Sequence, residues 1–149
     1  VSWNLKALDQ RSAVRVRTGS ESEMSEMVLI IEDDPDIAEI VRYTLEKAHF
    51  LTRVAYSGEE GLQASLDKLN PPSVILLDLL LPGMTGHELC RRLRRETLTH
   101  NTPILVLTAK AMEADINFAL AVGATEVMIK PFSIDELVTR VRSLAQRGH

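Results

Sequence analysis

The chain has 149 residues, of which 45% are hydrophobic, 26% charged and 4% aromatic, with a formal net charge of −4. That length suits one domain with a sizeable core, and the balance argues against a disordered or fibrous chain. So few aromatics disfavour the base-stacking platforms of single-strand nucleic-acid binders, and the negative charge gives no bulk attraction to nucleic acid or anionic membrane, so neither is expected as a direct partner.

Residues 1–26 read as a leader, a linker or a cloning-derived extension, because the stretch 11–26 mixes Arg, Ser, Glu and Gly without a sustained apolar period. Within it, Val14-Arg15-Val16-Arg17 alternates like a short strand. The regular pattern starts at Met27, which makes 27–149 the expected domain. Residues 28–31 form a continuous apolar run, the signature of a strand covered on both faces. Asp34 and Pro35 then supply an N-cap and a first-turn proline. Residues 52–56 alternate polar and apolar, which suits an edge strand. Ser57 and Glu60 have capping-box spacing, and Asn70-Pro71-Pro72 is expected to stop the second helix. A second apolar run, 74–77, leads directly into Asp78. Gly86 is expected to open a helix through Arg95. A third run occupies 104–107, and Ala111 is expected to open a helix ending near Gly123. The last run, 127–129, precedes a second capping box at Ser133 and Glu136.

The single cysteine, Cys90, can form no internal disulfide and lacks zinc-type companions. It reads as a small apolar helix residue in a reducing cytoplasm. No apolar run is long enough to span a bilayer.

Alternating strands and helices predict an α/β fold: a doubly wound, flavodoxin-like (βα)5 unit with a parallel five-stranded sheet. The order 2-1-3-4-5 follows from placing the alternating second strand at an edge. In such a sheet ligands sit beyond the carboxyl ends of the strands, near the switch point beside strand 1. The residues at those ends are Glu32, Asp33 and Asp34 after the first strand, Asp78 after the third, Thr108 after the fourth and Lys130-Pro131 after the fifth. Crowded carboxylates repel one another, and a divalent cation or the Lys130 ammonium would relieve them. Oxygen-only ligands suit Mg²⁺ (or Mn²⁺). With its charge so offset, Asp78 has the chemistry of an in-line nucleophile that forms an acyl phosphate, and Thr108 and Lys130 are suited to hold the phosphoryl oxygens. Asp34 reads as the N-cap alone.

The segments Leu29-Ile30-Ile31-Glu32-Asp33-Asp34, Leu77-Asp78-Leu79-Leu80-Leu81-Pro82-Gly83-Met84-Thr85-Gly86, Leu107-Thr108-Ala109 and Lys130-Pro131-Phe132 resemble the response-regulator receiver family of two-component signalling, in order and spacing over residues 27 to 147. The resemblance implies that Asp78 is the phosphoacceptor and that Glu32 and Asp33 are the acidic pair, with Asp33 a direct metal ligand. It implies that the Leu80 carbonyl completes the metal contacts, that Thr108 and Lys130 touch the phosphoryl group, and that Lys130–Pro131 is cis. The implied donor is a sensor histidine kinase or a phosphotransfer protein. Such receivers catalyse only their own phosphorylation and slow self-dephosphorylation.

Three positions tune that expectation. Val127 stands where the family often has the aromatic switch partner of Thr108, so the loop from Thr108 to Ala111 is left as the moving element. Leu80 and Lys110, two residues after Asp78 and Thr108, are poor at positioning an attacking water, which predicts a phosphoryl lifetime of minutes or more. The fourth helix carries Ile116, Phe118, Ala119, Leu120 and Val122, more apolar surface than one buried stripe needs. With the fifth strand and fifth helix it forms the face where the family commonly makes a homodimer or meets partners. Arg91, Arg92, Arg94 and Arg95 read as a solvated face of the third helix. His49, His87, His100 and His149 are scattered.

Two other functions share parts of this pattern. An aspartyl phosphohydrolase of the haloacid dehalogenase type carries a second aspartate two residues after its nucleophile, where this chain has Leu80. A receiver fold acting as a phosphorylation-independent interaction module would not need the whole acidic pocket, although Val127 is compatible with it.

Overall fold

The computed structural model describes residues 26–147. The alternating stretch at 14–17, and all but the last residue of the expected N-terminal extension, lie outside the described residues. The elements alternate as β1 (Met27–Ile31), α1 (Pro35–Lys47), β2 (Leu51–Ala55), α2 (Gly58–Ser65), β3 (Val74–Asp78), α3 (Gly86–Arg95), β4 (Ile104–Thr108), α4 (Glu113–Ala121), β5 (Glu126–Ile129) and α5 (Ile134–Arg147). All strand pairs are parallel, in the order β2-β1-β3-β4-β5, which is the expected 2-1-3-4-5 arrangement.

Strand side chains alternate between faces, so each buried strand feeds two cores. Leu29, Ile31, Ile75, Leu77 and Val106 join Leu89 and Leu93 of α3 and Ala119 of α4 on one side. Val28, Ile30, Leu76 and Leu105 join Val41 and Leu45 of α1 and Leu137, Val141 and Leu144 of α5 on the other. The continuous apolar runs are legible because β1, β3 and β4 are covered on both faces. In β2, Leu51 and Arg53 are exposed while Ala55 is buried, as an edge position allows.

Local chemistry sets most boundaries. Asp34 Oδ1 accepts the N–H groups of Asp36 at 2.9 Å and Ile37 at 3.4 Å, and Pro35 fills the first turn. Ser57 Oγ accepts from Glu60 N–H at 3.1 Å, and Ser133 Oγ from Glu136 N–H at 2.9 Å. The Glu60 carboxylate reaches one residue further back than a standard capping box, accepting from Tyr56 N–H at 2.6 Å. Thr85 Oγ1, a cap not singled out from sequence, accepts from Glu88 N–H at 3.1 Å.

Three expectations need correction. α2 ends at Ser65 rather than at the prolines, because Asp67 Oδ1 captures Leu69 N–H at 3.0 Å and Asn70 N–H at 3.4 Å, and a carboxylate turn competes with the helix. α4 starts at Glu113 rather than Ala111; Met112 stands at its N-cap and gives no side-chain bond. Nor is the arginine cluster uniformly solvated. Arg94 is half-buried and donates to the carbonyls of Thr102 at 2.7 Å, Gly123 at 2.9 Å and Thr99 at 3.1 Å, and to Thr125 Oγ1 at 3.2 Å. It ties the end of α3 to the turn after α4. Gly123, at φ +128°, leaves room for it; a Cβ there would lie 2.7 Å from Arg94 Cγ.

Candidate functional site

The carboxyl ends of β1, β3, β4 and β5 reach one rim of the sheet. β1 delivers Glu32, whose N–H donates to Ala55 O at 3.0 Å, and then the exposed Asp33. β3 ends in Asp78, and the register pairs Asp78 with Leu107, one residue before Thr108. β4 and β5 run together to Thr108 and Ile129, and Lys130 N–H donates to Thr108 O at 2.8 Å. That bond fixes where the lysine leaves the sheet. Lys130–Pro131 is cis, as the resemblance implied.

Lys130 Nζ lies 3.1 Å from Asp78 Oδ2 and 3.2 Å from Glu32 Oε1, so one ammonium bridges both acids. Asp78 Oδ1 accepts Leu80 N–H at 3.0 Å, and Glu32 Oε2 accepts Asp34 N–H at 3.2 Å. Each buried acid is therefore held by a backbone donor on one oxygen and by the lysine on the other. The clamp by Leu80 N–H was not legible in the sequence, since any residue but proline supplies that donor.

Burial raises the Glu32 pKa above the usual carboxylate value; Asp34 N–H opposes the rise, Asp78 repulsion adds to it, and Lys130 partly offsets it. For Lys130, burial alone would lower the value, but Asp78 and Glu32 together carry it above the ordinary lysine range. Glu32, Asp33 and Asp78 each offer an oxygen within 4.8 Å of the others. With all groups ionised, three carboxylates and one ammonium leave a formal charge of −2. A hard, oxygen-seeking divalent cation fits that donor set in both chemistry and charge.

Thr108 is buried at the same rim, and its Oγ1 accepts Lys110 N–H at 3.0 Å. Asp34 is committed to capping α1. The Leu80 side chain, two residues after Asp78, is 57% exposed. Val127 is half-buried, paired with Val106, and packs on the core shared by α2, α3 and α4. Cys90 is fully buried, with its thiol pushed up to about 11 by burial, as suits an inert core residue.

A family model described as the response regulator receiver domain matches residues 28–142. The DNA-binding response regulator MtrA of Mycolicibacterium smegmatis is 39% identical over 125 residues, covering 84% of this chain and 53% of that protein. Response regulator ArlR of Staphylococcus saprophyticus is 37% identical over 120 residues, covering 80% of this chain and 52% of that protein. The chain thus spans about half the length of these curated relatives. Among solved structures, the receiver domain of Francisella response regulator 1452 superposes with a TM-score of 0.76 at 33% identity, covering 84% of this chain and all of that one. The chemotaxis protein CheY4 of Vibrio cholerae gives a TM-score of 0.75 at 30% identity, covering 80% of this chain and 98% of that one. Sequence and fold agree with the rim of acids and lysine in placing this chain in the response regulator receiver domain family, the phosphoryl-accepting signalling module of two-component systems.

Proposed function

We propose that Asp78 is the phosphoacceptor of this receiver and that residues 27–149 form the switching unit. The observation that carries this reading is the Lys130 bridge between Glu32 and Asp78 inside a group of three carboxylates. Glu32, Asp33, Asp78 and the carbonyl of Leu80 would hold Mg²⁺ or Mn²⁺. Such a cation would supply positive charge to offset that of the phosphoryl oxygens.

In the transfer, an Asp78 carboxylate oxygen forms the bond to phosphorus. The phosphorus–nitrogen bond of the donor phosphohistidine breaks, and its electron pair leaves with the imidazole. The donor is a sensor histidine kinase or a phosphotransfer protein. Lys130, already in contact with Asp78, pairs with a phosphoryl oxygen once the acyl phosphate forms. Thr108 donates its hydroxyl proton to another, and its oxygen has lone pairs enough to keep the Lys110 N–H. Leu80 and Lys110 give no group suited to steer a hydrolytic water, which favours a phosphoryl state lasting minutes or more. Loss of the label within seconds in the purified protein is the contrary result.

The moving part is the loop from Thr108 to Ala111 with α4, since Val127 has no ring to swing. The output partner is a protein or a second copy at the α4–β5–α5 face; on α4, Leu120 is exposed. No nucleic-acid contact is assigned to the receiver itself; DNA binding belongs by its name to MtrA, which extends well beyond the matched half. Residues 1–26 are assigned as an extension to the receiver, and a reducing cytoplasm suits Cys90 and the kinase partner.

The test is ¹⁹F NMR of the protein with beryllofluoride, with and without Mg²⁺, beside Asp78→Asn. A magnesium-dependent bound signal on wild type alone is expected. No signal on wild type would leave the fold as a phosphorylation-independent interaction module.

A further inference from the structure

His87 occupies the first turn of α3, immediately after Gly86. It sits between the two loops that flank the pocket. On one side, Gly86 N–H donates to Leu79 O at 3.1 Å. A Cβ on Gly86 would lie 2.6 Å from Leu79 Cα and 2.8 Å from Asp78 O, so the start of α3 is seated directly on the backbone that carries Asp78. On the other side is Lys110, whose N–H is bound to Thr108 Oγ1.

The imidazole of His87 stacks on Phe118 of α4, with ring centroids 4.5 Å apart and planes 35° apart. Arg91, one turn along α3, lies over the same Phe118 ring at 5.6 Å. His87 Nε2 is buried and, among the described residues, is the one buried side-chain polar atom without a hydrogen-bond partner. A neutral imidazole tolerates that position. An imidazolium would bury an N–H with no acceptor.

The charges facing the ring point the same way. Burial disfavours the imidazolium most, Lys110 and Arg91 repel it, and Asp115 of α4 alone favours it, so the pKa lies below the ordinary 6.5. The positive end of the α3 dipole adds to the repulsion. Glu88, the acid next along α3, is already engaged by Arg92 at 3.1 Å and Arg91 at 4.0 Å.

We propose that His87 is a proton-responsive latch between α3 and α4: neutral, it seats Phe118 against α3, and protonated, it lets that contact open, with a phosphoryl group on Asp78 favouring the protonated form. The coupling follows from position. A phosphoryl dianion on Asp78 adds negative charge beside the start of α3 and attracts the Lys110 ammonium, so the positive field on His87 falls. Linkage is reciprocal: if phosphorylation raises proton affinity at His87, acidification favours the phosphorylated arrangement by the same factor. This latch would give α4 a movable aromatic contact in a receiver where Val127 supplies none.

The inference rests on phosphorylation at Asp78, and one set of NMR spectra separates the two. The ¹⁹F signal of bound beryllofluoride reports occupancy of Asp78, and the His87 ring Cε1–H shift reports its titration in the same sample. With the adduct formed, the His87 midpoint is expected to rise by at least about half a pH unit, roughly threefold in proton affinity. The Phe118 ring signals should move with the same midpoint. Lys110→Ala should raise the midpoint of the free protein and shrink the further rise on adduct formation. An adduct that leaves the His87 midpoint unchanged, or a titration that leaves Phe118 unmoved, overturns the latch. Failure to form any adduct overturns the Asp78 reading and the coupling with it.

Discussion

At the scale of residues, the pocket is a charge balance that the protein alone does not close. Glu32 is buried and its carboxylate is disfavoured by burial and by Asp78. Because its folded pKa is raised above 4.5, the folded chain holds the extra proton between that value and the raised one, so ionising Glu32 costs stability above this window. Glu32→Gln should therefore raise the thermal midpoint of the metal-free protein at neutral pH, and the gain should vanish as the pH falls below about 4.5. The same substitution should weaken stabilisation by Mg²⁺, read as the shift in midpoint on adding the ion. A midpoint unchanged by Glu32→Gln across this range would show that the acid is not under strain. His87 has the opposite sign. Its folded pKa lies below 6.5, so the unfolded chain binds the extra proton between the two values, and the latch loses stability as the pH falls through that window. His87→Leu should flatten the pH dependence of denaturant midpoints as the pH falls below about 6.5, where the wild type declines. Equal slopes would contradict it.

At the scale of elements, capping chemistry was the most legible feature of the sequence. Asp34-Pro35, Ser57 with Glu60, and Ser133 with Glu136 all place helix starts correctly, because a side-chain oxygen meeting an orphan N–H is a contact between near neighbours. Ends set by competition were less legible. Nothing in Asn70-Pro71-Pro72 reveals that Asp67 has already ended α2, and α4 starts late without a side-chain cap. Arg94 was misread for a further reason. Its partners, Thr99 and Thr102 on one loop and Gly123 and Thr125 on another, become neighbours only once the helices pack. Arg94→Ala would leave several part-buried carbonyls unpaired and should cost about 2–4 kcal/mol by chemical denaturation, against under 1 kcal/mol for the exposed Arg95→Ala. Equal small losses would return Arg94 to the solvated face.

At the scale of the whole molecule, strand order and site location came mainly from apolar texture: the longer continuous runs mark the central strands β1, β3 and β4 and the alternating run marks the β2 edge, whereas the short run 127–129 falls in β5, the other edge, and is only partly buried. A substitution in the shared core tests this directly. Leu76 in β3 is almost fully buried between β1 and β4, and Leu76→Ala should cost about 2–5 kcal/mol. The acids and Lys130 were legible because the topology gathers strand ends at one rim. The contact of His87 with Phe118 was not, since it depends on how α4 leans against α3, which no periodicity records.

The chemistry at Asp78 is open to direct trapping. The protein is incubated with Mg²⁺ and acetyl phosphate, the acyl phosphate is reduced with borohydride, and the modified residue is located by peptide mass mapping. The expected result is modification at position 78 alone, dependent on Mg²⁺ and absent from Asp78→Asn. Modification at another carboxylate, or none on the wild type, would contradict Asp78 as the phosphoacceptor.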